Sequence, residues 1–230
     1  MINFKDERMI YLLLGFGVLF FYLTFDAGFG TLLFGMLFLD YMLYSMNKGN
    51  RIETFTKPKM SNKDMIILLV IFLGFIGMTY AVGNYTFPQS FSTPFSVFQV
   101  FSTGLPPLAT NPIMFLISQG IIIAVVETRL FFQRLPEVLT QKFNIPFRFD
   151  YKNTKMWMLF AMVSSAFVIY HLGVKLVTES DVLLITFIFA MFSLVAVFYF
   201  REGKQAQLLH IGNNVPAIIT RLGMLGGGLI

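Results

Sequence analysis

Four polar side chains stand in greasy surroundings: Glu127 in VVETRLFFQR (125–134), His171 in FVIYH (167–171), and His210 with Asn214 in HIGNN (210–214). The chain has only 2 histidines, and both fall in these segments. Each segment lies inside a stretch long and apolar enough to cross a membrane. An ionisable group is costly there, and those retained usually line a cavity, pair with one another or do chemistry. A carboxylate and imidazoles so placed can move protons or ligate zinc. Glu127, His171 and His210 stand as alternative zinc ligands, although the HExxH spacing of a zinc peptidase is missing, and no cofactor is expected.

Helical periodicity decides which of these groups can meet. Residues four apart share a helix face, so Phe167 sits beneath His171, and His210 shares a face with Asn214. Seven residues make about two α-helical turns, which predicts Arg134 beneath Glu127. If the helices carrying the three motifs pack together, Glu127, His171, His210 and Asn214 converge on one cavity, with Phe167 and Arg134 supporting them.

Composition sets the frame for those helices. Of 230 residues, 56% are hydrophobic and 13% charged, with 29 phenylalanines and 14 methionines, and the mean hydropathy is +0.72. This is no soluble globular composition. The apolar runs are too long for barrel strands, which alternate with a period of two. The expected class is therefore all-α, a polytopic helical membrane protein with its lipid-facing surface in membrane lipid. The absence of cysteine excludes disulfides, thiolate metal ligands and a cysteine nucleophile. A net charge of +5 reflects loop lysines rather than a nucleic-acid partner.

A span needs roughly 20 mostly apolar residues. Seven segments approach that length, at 9–25, 28–46, 65–83, 112–135, 156–177, 182–200 and 205–225. The first is flanked by Lys5 and Arg8 without a small-residue cleavage site, and reads as a signal anchor. The last carries His210, Asn213, Asn214 and Pro216, so it is expected to be buried in protein rather than exposed to lipid. Residues 84–111 hold no charge and are rich in Phe, Ser, Thr and Pro. A structureless loop of that length is unusual, and a short interfacial or re-entrant element is expected on the outer face. The chain divides into residues 1–111, holding three spans and this loop, and a core at 112–225, within one membrane domain.

In their order, spacing and placement, Phe167-Val168-Ile169-Tyr170-His171 and His210-Ile211-Gly212-Asn213-Asn214 match the FxxxH and HxxxN motifs of the CPBP (Abi) intramembrane proteases. The chain over roughly 112–220 resembles that family, which includes the type II CAAX prenyl endopeptidases. The family's first motif, EExxxR, is degenerate: Glu127 takes its first position, Thr128 replaces the second glutamate, and Phe132 replaces the arginine. Arg129 or Arg134 is then the available charge partner, Arg134 by helical phase. The resemblance implies that Glu127, helped by His171, activates water for attack on a peptide bond. His210 and Asn214 would bind the oxyanion, and no metal is used. The substrate would be a membrane peptide or protein. The same scaffold without catalysis would serve as a subunit, immunity factor or binding protein for another membrane protein.

Blander readings apply to each residue. Glu127 could be a structural ion-pair partner of Arg129 or Arg134, His171 a histidine near the interface, and Asn214 a cap for a helix broken at Pro216. Orientation follows from the basic loops: Lys48, Arg51, Lys57, Lys59 and Lys63; Lys142, Arg148, Lys152 and Lys155; Arg201 and Lys204. Together with Lys5 and Arg8 they share one side of a seven-span arrangement, and only Lys175 and Arg221 lie opposite. The positive-inside rule puts the amino terminus in the cytoplasm and the carboxyl terminus outside a prokaryotic-type plasma membrane. Single cysteines placed at 57 and 95 are expected to react with an impermeant reagent from opposite sides of the membrane. Labelling from one side would overturn this topology.

Overall fold

The computed structural model describes Gly15 and residues 27–46, 61–103, 105 and 112–226. The chain forms two compact units, Met1–Arg51 and Ile52–Ile230. In the first, the described element is helix α1, Ala27–Met46, whose apolar stretch Gly30–Ser45 is shorter than a full span. The segment expected to cross at 9–25 lies outside the described residues, Gly15 aside.

The described residues of the second unit form helices and their connections and contain no strand. Helix α2, Asn62–Thr86, starts at a capping box in which Ser61 and Asp64 bond each other's backbone N–H groups. That reciprocal cap satisfies donors that a helix start otherwise leaves open. A turn follows, and then a short helix, α3, Ser96–Thr103. This is the element expected within 84–111. Arg221 caps its exit, donating from Nη1 to the carbonyls of Leu105 at 2.7 Å and Ser102 at 3.4 Å. Helix α4 (112–142) is followed by α5, Thr154–Gly173, α6, Ser180–Phe200, and α7, Lys204–Gly226.

Among the described residues, four helices are long and apolar enough to cross a membrane: Asn62–Thr86, Leu116–Lys142, Thr154–Gly173 and Ser180–Phe200. Helix α7 is long but too polar to join them. Its buried residues (Gln205, Ala206, Leu209, His210, Asn213, Asn214, Ala217 and Ile218) recur as pairs four apart, so one face turns into the protein. Pro216 lies inside this helix without ending it.

Helix α6 is the hub. Its Phe189 ring lies 5.6 Å from Phe75 of α2, 6.0 Å from Phe132 of α4 and 4.8 Å from His210 of α7. Lower down, Phe198 packs edge-on against Phe160 of α5 at 4.8 Å. One aromatic residue thus fixes three helices around the site. Each such edge-to-face pair adds about 0.5–1.5 kcal/mol beyond area burial.

Two expectations for α4 and α5 are corrected. Helix α4 continues to Lys142 rather than stopping near 135, and it contains two π-helical stretches, Leu116–Ile122 and Thr128–Arg134. The N–H groups of Ile123 and Leu135 reach carbonyls five residues back, on Ser118 and Leu130. Each wider turn takes an extra residue, so positions seven apart no longer return to one face. Helix α5 ends at Gly173 instead of 177, which leaves Lys175 in the connection to α6.

Helices α6 and α7 are joined by a turn in which Arg201 takes a left-handed conformation (φ 58°). Gly203 lies directly against buried Gln133 of α4, and a Cβ built there would fall 1.4 Å from Gln133 Nε2. Gly203→Ala is therefore expected to overpack this contact and cost about 1–3 kcal/mol of stability. Thermal unfolding in detergent checks this, and an unchanged melting temperature would show that the turn yields freely.

Candidate functional site

Glu127 closes the central α-helical turn of α4, immediately before the second π stretch, and is completely buried (0% exposed). Three side chains contact its carboxylate. Tyr170 donates from its hydroxyl to Oε1 at 3.1 Å. Lys175 forms an ion pair with the same oxygen. His210 places Nε2 3.4 Å from Oε2. Oε1 is thus held by two donors, whereas Oε2 accepts no hydrogen bond.

His210 is oriented from its other nitrogen, since Nδ1 and Thr128 Oγ1 share a hydrogen bond of 3.0 Å. Its ring is walled by Phe189, Phe167 and Phe132, with centroids at 4.8, 6.1 and 6.4 Å. Thr128 thus fixes the imidazole, and Phe132 packs against it.

His171 does not touch Glu127. Its Nδ1 is bonded to the Phe167 carbonyl at 2.9 Å, and the Phe167 ring stands 4.4 Å from it, between the two histidines. Phe167 is thus a spacer as well as a helix neighbour. Asn214, one turn above His210, donates to the backbone carbonyl of Gln119 in α4 at 3.0 Å, while its own Oδ1 has no partner. That bond is possible because α4 and α7 approach closely at Gly120. A Cβ there would sit 3.3 Å from Ile218 and 3.4 Å from Val215.

The structure brings Glu127 and His210 into contact, sets His171 beyond the Phe167 ring, and ties Asn214 back to α4. Arg134 does not serve Glu127. The π turns rotate it away, and its Nη1 pairs with Glu137 at 3.1 Å instead. The cation on Glu127 is Lys175, which sequence reasoning placed at a helix end without a role, and Tyr170 was equally missed. The available signal was spacing. Lys175 follows His171 by four residues and is one of only two basic residues on that side of the predicted topology. With α4 running to Lys142, Glu127 falls at the level of the end of α5, where Tyr170 reaches it. Among the described residues, no group of three or more His, Cys, Asp or Glu side chains is placed to hold a metal ion.

Chemically, a buried carboxylate beside an imidazole, with one oxygen pinned and one open, can take a proton from a molecule placed between them. Tyr170→Phe removes one of the pinning bonds and is expected to cost about 1.5–3 kcal/mol, the usual worth of a hydrogen bond to a charged group. Chemical unfolding checks this, and a neutral effect would mean that Lys175 alone holds Oε1. Compared with protein-family models, with curated proteins and with solved structures, the chain matches none.

Proposed function

We propose that this chain is an intramembrane endopeptidase of the CPBP type, acting on a peptide or protein segment within a prokaryotic-type plasma membrane. The observation that carries the reading is the open Glu127 Oε2, fully buried and 3.4 Å from His210 Nε2. A base needs a free oxygen aimed at the proton that it abstracts. Glu127 takes the proton of a water that attacks the peptide carbonyl and later returns it to the leaving amine. Tyr170 and Lys175 hold the other oxygen so that the carboxylate cannot rotate away.

His210 and the second N–H of Asn214 supply hydrogen bonds to the oxyanion, each such donor being worth about 2.7–4 kcal/mol. His171 assists Glu127 in activating the water. The bundle crosses the membrane seven times, with the amino terminus cytoplasmic and the basic loops on the same face. Support for that arrangement comes from the four span-length helices and from the distribution of lysine and arginine.

One observation favours a second reading, a non-catalytic membrane subunit, immunity or binding protein on the same scaffold. The Glu127 carboxylate already has Lys175 and Tyr170 as partners, which is how a purely structural buried charge would be satisfied. Glu127→Gln separates the two. The amide keeps the shape but cannot accept a proton from water, so an enzyme loses cleavage of reconstituted membrane substrates while its expression persists. Asn214→Ala is then expected to slow cleavage about 100-fold or more through loss of an oxyanion donor. Retained cleavage in Glu127→Gln would end the protease reading.

A further inference from the structure

Water cannot reach the site as it stands. Glu127 is 0% exposed, and His171, His210 and Asn214 are all buried. Among the described residues, Lys175, whose side chain is 14% exposed, links this centre to the surface. It belongs to no helix. Residues 174–179, between α5 and α6, fold back over the end of α5, with Val177 N–H donating to the His171 carbonyl at 3.0 Å. Leu176 sits in the left-handed region (φ 56°), a conformation that costs a bulky residue energy and persists only where its surroundings impose it. Its side chain is 76% exposed and provides no packing that would impose this backbone. The contacts that hold the segment down are its two neighbours: Lys175 on Glu127 and over the Tyr170 ring at 5.6 Å, and Val177, which is 3% exposed.

We propose that residues 174–179 form a strap across the site and that Lys175 is its latch, a positioning residue for Glu127. With the latch closed, the carboxylate is ion-paired, oriented and dry. With the strap lifted, Lys175 leaves into solvent, the Leu176 backbone relaxes, and Glu127 becomes accessible to water. Lys175 thereby stands in for the basic residue that Phe132 displaces from α4. This rests on Glu127 being the functional carboxylate, but strap opening can be read without any proteolysis.

The cysteine-free sequence allows a direct test by maleimide labelling of single cysteines. Val177→Cys reports on the strap, Leu176→Cys is an exposed reference, and Ala190→Cys, at a fully buried position of α6, reports on global unfolding. In the parent chain Val177→Cys should label slowly and Leu176→Cys fast. Adding Glu127→Gln or Lys175→Met should raise the Val177→Cys rate about tenfold, equivalent to roughly 1.4 kcal/mol of latch. Ala190→Cys should stay protected throughout. Lys175→Arg should keep Val177→Cys slow, because a cation still meets the carboxylate. An unchanged Val177→Cys rate on breaking the pair would overturn the latch. So would a parallel rise at Ala190→Cys, since the pair would then hold the whole fold rather than the strap. Absence of cleavage by the parent chain, or retained cleavage in Glu127→Gln, with this labelling pattern intact would instead count against the peptidase reading alone.

Discussion

The structure is organised around one constraint, the burial of the Glu127 carboxylate. An isolated carboxylate in so apolar an interior is too costly to keep. Its neighbours exist in the positions they do because each meets part of that cost. Tyr170 and Lys175 hold Oε1, and His210 stands against Oε2. These partners come from α5, from the connection after it and from α7, so satisfying one side chain draws three parts of the chain onto α4. A buried ion pair of this kind adds little net stability compared with an apolar replacement. Losing one partner, however, leaves an uncompensated charge. The arrangement is therefore better at specifying which helices meet than at stabilising them.

The aromatic packing serves the same end. Phe189 of α6 touches residues of α2, α4 and α7 at once, and Phe167 separates the two histidines. Rings of fixed shape set the spacing of the helices, and the polar groups operate inside that spacing. The second π stretch of α4 starts immediately after Glu127. It brings Thr128 to His210 Nδ1 and Arg134 to Glu137. A threonine of α4 thus orients the imidazole, and a lysine from the α5–α6 connection meets the carboxylate.

Much of this was legible in the sequence, and the remainder failed for identifiable reasons. The helical class followed from apolar runs too long for strands. The pairing of Phe167 with His171 and of His210 with Asn214 followed from a period of 3.6, which both helices keep. The placement of Arg134 used the same period on α4, where π turns break it. Such turns are set by packing and leave no mark in residue type. Lys175 was hidden because its position depends on an early end to α5 and on a left-handed Leu176, and neither is a preference of those residues. The charge rule pointed obliquely at it. Lys175 and Arg221 were the two basic residues on the wrong side of the topology, and both turn out to be consumed internally, by Glu127 and by the exit of α3.

The claim on which the rest depends is that Lys175 holds Glu127. A double-mutant cycle measures it most directly: the unfolding free energies of the parent, Glu127→Gln, Lys175→Met and the combined variant, in one detergent at one pH. A buried, coupled pair predicts an interaction energy of about 1–3 kcal/mol, with the combined variant more stable than the two single losses summed. Additive losses, within about 0.5 kcal/mol, would show that the two charges do not depend on each other and would contradict this account.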